Sequence, residues 1–466
     1  MILRNARVGD RLTDLFVTDG IISADGSGET LDLDGRWVVP GLWDNHVHFS
    51  QWALVSQRLD VSAASSALHA ARLVADGLAR AGHPVPFVGY GFRDGLWPDA
   101  PNRADLDAAT GDVPVVLVSA DVHAVWLNSA ALARYGYPDH PTGLLREDEA
   151  FEIEKRLDSV PDGEMDAWIG LAVDAAAARG VVGIVDLEMA WNHGAWRRRQ
   201  AAGIDRLRVE FGLYREHLDR AIDLGLRTGQ AISPLLTVGR FKIIIDGSLN
   251  TRTAYCFDEY PGSPSRGMLT VQPEQLVTVM RRAWEAGIEP TVHAIGDHAN
   301  AVALDAFAEI GCRGRIEHAQ LVASTDLPRF GRLGVVASVQ PEHAMDDRDV
   351  ADRYWAGRTD RAFPLKSLAD AGAEIVLGSD APVAPLDPWG TAAAAVTRSR
   401  DGREPWHPEQ SISAGQALAA STRTTLEVGQ PADIVVLESD PSLPQNLRDM
   451  RVAATLLGGR YTFNAL

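Results

Sequence analysis

The sequence predicts an α/β protein built on a (β/α)8 TIM-like barrel, with a small β-sandwich domain made from both chain termini and an insertion after barrel strand 1. Three observations carry this prediction. Through the middle of the chain, apolar strand-like runs alternate with amphipathic helical stretches, the pattern of a parallel sheet. These runs number about eight, the count that closes a barrel; a doubly wound open sheet is the competing arrangement. Both ends of the chain are rich in short strands punctuated by Gly, Asp and Asn, whereas the middle is not.

Taken in order, ILRNARV, LFVTDGIISA and TLDLDGRWVVPG read as short strands, and ADIVVLES and VAATLLGGRYTF at the far end read the same way. Residues 1–40 and 421–466 are therefore expected to form one split β domain, and residues 41–420 the barrel. GRWVVPGLWDNHVHF supplies the first barrel strand. VVGIVDLE, LRVEFGLY, FKIIIDG, EPTVHAIG, RIEHAQLV, VVASVQPE and EIVLGSDA supply the rest, mostly separated by helices such as PEQLVTVMRRAWEAG. A barrel needs roughly 250 residues. The surplus falls partly at about residues 51–165, the expected insertion.

The chain has 466 residues, with 44 Lys and Arg against 63 Asp and Glu, a formal charge of −19. That balance excludes general binding to a nucleic acid backbone, which needs a clustered basic surface. Cys256 and Cys312 are the only cysteines and are far apart, which excludes a disulfide framework and a cysteine zinc knuckle. Charges come too early for a signal peptide, and no apolar run of about 18 residues follows. The expectation is a cytoplasmic protein that acts on a small molecule without a membrane partner, with homo-oligomerisation left open.

The chemistry lies in where polar residues fall on the strands. His46 and His48 stand two apart at the end of an apolar strand, so both imidazoles face one side. Converging neutral imidazoles are good ligands for zinc or a similar metal, although an isolated H-x-H pair is more readily two polar residues at a strand end. His293, His318 and Asp380 repeat the placement on later strands, at the end where barrels cluster catalytic groups. Lys242 sits inside an apolar strand, where a cation is costly to bury. It is either a strand-start lysine reaching solvent or a neutral amine. A buried neutral amine can take up carbon dioxide as a carbamate, whose two anionic oxygens bridge two metals.

These segments together resemble the metal-dependent amidohydrolase superfamily, in its amidohydrolase-3 or YtcJ-like branch, which includes N-substituted formamide deformylases. VVPGLWDNHVHF, SADVHAVWLNSAAL, FKIIIDGSLNTRTA, VHAIGDHANAVALDAF, RIEHAQ, ASVQPEH and LGSDAPVAPLDP occur in family order over nearly the whole chain. The resemblance implies that His46 and His48 hold the more buried metal and that Lys242, carboxylated, bridges to a second metal held by His293 and His318. It also implies that Asp380 binds metal and handles the proton of the attacking water. Two Zn ions per chain are the cofactor implied. Two departures stand out: ASTRTTLEVGQPADIVVL looks shortened, which leaves the C-terminal β piece in question, and Asn250 and Thr251 replace a commoner Gly-Ser in the loop after the fourth strand.

Weaker candidates for substrate binding are His123, Trp126 and Asn128 in the insertion, His343 after the seventh strand, and Arg252 and Arg358. For Trp126 the competing reading is core packing, and for each arginine a surface salt bridge. His298 follows His293 at a helix start; His69, His83, His140, His193, His217 and His407 lack comparable context. The leading functional expectation is hydrolysis of a non-peptide carbon–nitrogen bond in an amide, N-formyl or cyclic amide. The alternatives are a one-metal heterocycle deaminase with unmodified Lys242, and a non-catalytic regulatory or binding protein on the same fold.

Overall fold

A computed structural model describes residues 1–466 except 82–85, 95–96, 120–123 and 147. The described residues divide into two compact units, one of residues 1–49 and 173–466 and one of residues 50–172.

The first unit holds the barrel. Its strands are β1 (Leu42–Val47), β2 (Val181–Asp186), β3 (Arg208–Leu213), β4 (Leu236–Ile244), β5 (Pro290–Ala294), β6 (Gly314–His318), β7 (Val335–Val339) and β8 (Ile375–Leu377). Each runs parallel to its neighbour. They are short apolar runs buried nearly throughout, as expected where helices cover a parallel sheet. An extra antiparallel strand, Ala231–Ser233, pairs with the start of β4. At three residues it is too short to announce itself in the sequence.

The ring closes between β8 and β1 without a regular ladder. A single parallel bridge joins Val47 to Ala381. His48 N–H donates to Ala381 O at 2.9 Å, and Asp380 N–H to His46 O at 2.7 Å. Asp44 Oδ1 accepts from His46 N at 3.1 Å and from Ser379 N at 3.0 Å, so a side chain stitches what the ladder does not. Gly378 makes the approach possible, because a Cβ there would lie 2.6 Å from His46 N.

Helices follow the strands and turn their apolar stripes inward. Pro273–Glu285 begins with proline at its first turn and buries Leu276, Met280 and Ala283, a spacing of three to four residues. Asp297–Ile310 and Pro341–Tyr354 start directly at the ends of β5 and β7.

The termini form one eight-stranded sheet. Trp37–Pro40 pairs antiparallel with Ile434–Leu437, which pairs in turn with Val452–Leu457. The short segment before Ile434 therefore leaves the C-terminal strands in register, and the sheet's apolar side buries Leu3, Ile22, Val38, Ile434 and Leu456.

The second unit has its own five-stranded sheet, in the order Leu144–Arg146, Ala124–Leu127, Val115–Ser119, Phe87–Phe92 and Leu59–Asp60. Its core packs Phe92, Leu117 and Trp126 with the helix Ala67–Ala81.

Candidate metal centre

The barrel brings the sequence-selected groups to the carboxyl ends of its strands. His46 is 1% exposed, and its Nδ1 lies 2.8 Å from Glu317 Oε2 on β6. The other Glu317 oxygen accepts the Thr291 hydroxyl at 2.6 Å. A carboxylate can only accept, so His46 Nδ1 carries the proton and its Nε2 lone pair faces Asp380 Oδ1, 3.3 Å away. His48 presents Nε2 to the same oxygen at 3.4 Å. Both histidines aim at one carboxylate, although the pairing of β1 with β2 shifts register between Asp44 and Val47 and His48 stands just past the strand's end.

His293 and His318 come from β5 and β6, with ring centroids 4.5 Å apart; that of His318 is 5.0 Å from that of His46. His318 and Asp380 both adopt left-handed backbone, with φ of 77° and 59°. Such conformations are unfavourable for non-glycine residues and persist where the surroundings over-determine them, often at functional sites. Here they end β6 and the β8 segment abruptly and turn both side chains into the group. One ligand atom each from His46, His318 and Asp380 lies within 4.8 Å of the other two, and all three residues are buried.

The electrostatics suit a bound cation. Burial pushes His293 down to about 3, helped by the Lys242 charge, and pushes His318 well below its ordinary value, helped by His293. Burial alone would raise Asp380, but His46, His48, His318 and His343 around it hold its carboxyl well below the usual range. Burial thus favours neutral imidazoles at His46, His293 and His318 beside an anionic carboxylate, whereas at His48 the hydrogen bond and charge of Asp380 outweigh burial and raise the pKa. His48 Nδ1 and His318 Nδ1 are buried and have no hydrogen-bond partner. Buried imidazoles gathered within 4.8 Å of a carboxylate oxygen are the donor set a divalent metal takes, so these residues fit one.

Lys242, within β4, is 2% exposed, and no described carboxylate lies within ion-pair distance of it. Burial lowers its pKa more than Glu317 and Asp380 raise it. It does not reach solvent, the alternative open from its strand position. Asp246, two residues past the end of β4 and 1% exposed, accepts the backbone N–H groups of Tyr255, Ile295 and Gly296. Asp246 Oδ1 is 3.5 Å from His293 Nε2.

The remaining candidates separate. His343 joins the group: its Nε2 is 3.6 Å from Asp380 Oδ2, and its Nδ1 is 3.2 Å from the Gln320 amide. Trp126 does not belong to a binding surface. It is fully buried and edge-on to Phe92 and Trp97, so packing replaces the expected substrate contact. Asn128 caps the helix Ser129–Tyr135 through Ala131 N. His123 lies outside the described residues. Arg252 is exposed with its guanidinium over Tyr354, and Arg358 pairs with Asp258 at 3.6 Å. Neither contact is a hydrogen bond, and neither arginine is among the groups gathered around Asp380. His298 is stacked between Tyr255 and Phe257. In the loop carrying Asn250 and Thr251, Asn250 donates to Asp347 and Thr251 contacts Ser248.

Sequence reasoning missed Glu317, Asp44 and Asp246. Each is a carboxylate inside or at the end of an apolar strand, the same signal that singled out Lys242.

A parallel eight-stranded barrel with histidines and an aspartate gathered at its strand ends defines a hydrolase of the (β/α)8 class. The profile of the amidohydrolase family matches residues 29–463, and the chain belongs to that family. It is 28% identical to YtcJ of Bacillus subtilis (strain 168), which bears an amidohydrolase name, over 98% of this chain and 96% of that one. It is 26% identical to the N-substituted formamide deformylase of Arthrobacter pascens, over 92% of this chain and 89% of that one. Among solved structures, an uncharacterised metal-dependent hydrolase from Pyrococcus horikoshii OT3 superposes with a TM-score of 0.80 at 26% identity, covering 95% of this chain and 98% of that one.

Proposed function

We propose that the protein hydrolyses a non-peptide carbon–nitrogen bond, in an amide, N-formyl or cyclic amide, with a divalent metal pair held by His46, His48, His293, His318, Asp380 and a carboxylated Lys242. The observation that carries this reading is the buried cluster of His46, His318 and Asp380 beside unpartnered imidazole nitrogens. The formamide deformylase relative supports the bond type. Zinc suits the nitrogen and oxygen donors.

When bound, the metals supply an acidified water and polarise the scissile carbonyl. The chain does the rest. Asp380, kept anionic by the surrounding histidines, accepts the proton of the attacking water and returns it to the leaving nitrogen. Glu317 fixes the His46 tautomer and ring angle. His343, anchored by Gln320, limits how far Asp380 can swing. Lys242 enters as the amine that takes up carbon dioxide, because burial favours its neutral form.

Elemental analysis of the purified protein, beside a screen of amides, formamides and cyclic amides, tests the proposal. Two metals per chain with turnover of one of these classes is the expected result. One metal with turnover of an aminated heterocycle would establish the deaminase reading. No turnover across the panel by metal-loaded protein would leave a binding role. No described helix is long and apolar enough to cross a membrane. Two buried free cysteines suit a reducing cytoplasm, which we take as the compartment.

A further inference from the structure

Around the metal centre, the barrel leaves hydrocarbon open to solvent. Among the described residues thirteen large apolar side chains are exposed. Five of them, Met189, Ile244, Phe257, Met268 and Val383, stand at or beyond the carboxyl ends of β2, β4 and β8, before the next helix. The other eight are scattered through both units, so this end of the barrel is where exposed apolar surface collects. Such a collection beside a polar centre marks a surface that a ligand covers.

Ile244 connects this surface to the chemistry. It is the last residue of β4 and the one exposed position of that strand. The period of two puts it on the same face as Lys242, and the ladder sets it beside His293 with no shift of register. Val383 N–H donates to Asp380 O at 2.9 Å, and β8 stands four strands round the ring from β4, so Val383 lies across the opening from Ile244. Met189 N–H donates to Glu188 Oε1 at 3.1 Å, and the Glu188 charge acts on His48. The charged side chains that act most strongly on His46, His48, His293 and His318 are the carboxylates of Asp380, Glu317 and Glu188 and one cation, Lys242. Arg252 and Arg358 are not among them. A carboxylate on the ligand would therefore meet like charges and hydrocarbon, both unfavourable to it.

We infer that the substrate carries an uncharged alkyl or aryl body, which lies on Ile244 with Val383 opposite, and that Ile244 sets the preference for such a body over one bearing a carboxylate. The inference rests on the hydrolase reading above and names the substrate class within it: amides with an apolar body, not N-acylated amino acids. Ile244 acts by contact alone, since each methylene taken out of water against it adds to binding.

The test is isothermal titration of the metal-loaded protein with hydroxamates, whose chelating head takes the metal and whose tail reports on the wall. Acetohydroxamate, butyrohydroxamate and hexanohydroxamate vary the tail length. Succinic monohydroxamate ends the four-carbon chain in a carboxylate. Affinity should rise roughly two- to four-fold per added methylene, and succinic monohydroxamate should bind at least about ten-fold more weakly than butyrohydroxamate. Ile244→Thr keeps the β-branch but adds a hydroxyl, and should flatten the length dependence with metal content unchanged. Should that variant fold poorly, Val383→Ser, on an exposed loop, should flatten it in the same way. Affinity independent of length, a dependence that survives both substitutions, succinic monohydroxamate binding as tightly as butyrohydroxamate, or no hydroxamate binding at all would each overturn the inference. A length dependence that Ile244→Thr removes, in a protein that turns over no amide, would support the apolar wall and sink the carbon–nitrogen reading instead.

Discussion

Asp380 carries two duties that a single substitution separates. Asp380→Asn keeps an oxygen toward the histidines but removes the proton acceptor. It should retain much of the metal and lose at least about 100-fold in turnover, checked by elemental analysis beside steady-state kinetics. Glu317→Gln acts one step away: the His46 ring loses its anionic anchor, and metal affinity should fall roughly 10- to 100-fold, measured by chelator competition. Lys242→Ala should lose one metal and activity together, and short carboxylic acids added to the buffer should restore part of both; full activity without them would show that the lysine bridges nothing. The histidines, Lys242 and Asp380 were legible in the sequence because polar groups at the ends of apolar strands are expensive to place without a purpose. Glu317, Asp44 and Asp246 give that same signal. Their partners, however, come from other strands, and only the closed ring reveals that His46 needs a carboxylate from β6.

At the scale of elements, the joint between β1 and β8 is the most demanding piece of construction. Gly378→Ala would set a methyl group 2.6 Å from His46 N and 2.9 Å from His46 Cβ, neither of which is a flexible chain end. The expected cost is about 1–3 kcal/mol, read as a lowered Tm, with weakened metal binding because His46 must move. The eight barrel strands were readable because each is a short apolar run set off by a helix, a contrast of period that needs no partner to be recognised. The three-residue strand Ala231–Ser233 has no such contrast, being defined by its pairing with β4 alone. The joining of both chain ends into one sheet was suggested by composition, but its order depends on pairings such as Val39 with Val435, which are nearly 400 positions apart and leave no local trace.

For the whole molecule, Glu210 on β3, which accepts from Arg240 at 3.0 Å and Arg423 at 2.7 Å, sets an acid limit on stability. Burial alone would raise Glu210, but Arg423, Arg315 and Arg240 hold its carboxyl down at about 2. Its folded-state pKa is thus depressed below an unfolded value near 4.3. Its stabilisation is full above that unfolded value and is lost as pH falls towards 2, amounting to at most about 3 kcal/mol. Glu210→Gln should therefore destabilise the protein at pH 7, and the gap from the parent should narrow between about pH 5 and pH 2, checked by urea unfolding across that range. The other end of the barrel sets a different limit. The backbones of His46 and Asp380 are hydrogen-bonded to each other across the incompletely laddered joint, and both side chains belong to the candidate metal site. Any ion held by the two residues is then also a clasp on the ring, so loading and ring closure form a single equilibrium. In amide hydrogen exchange, His48, Ser379 and Asp380 should be among the first barrel positions to take up deuterium from chelated protein, and among those most slowed when metal is returned.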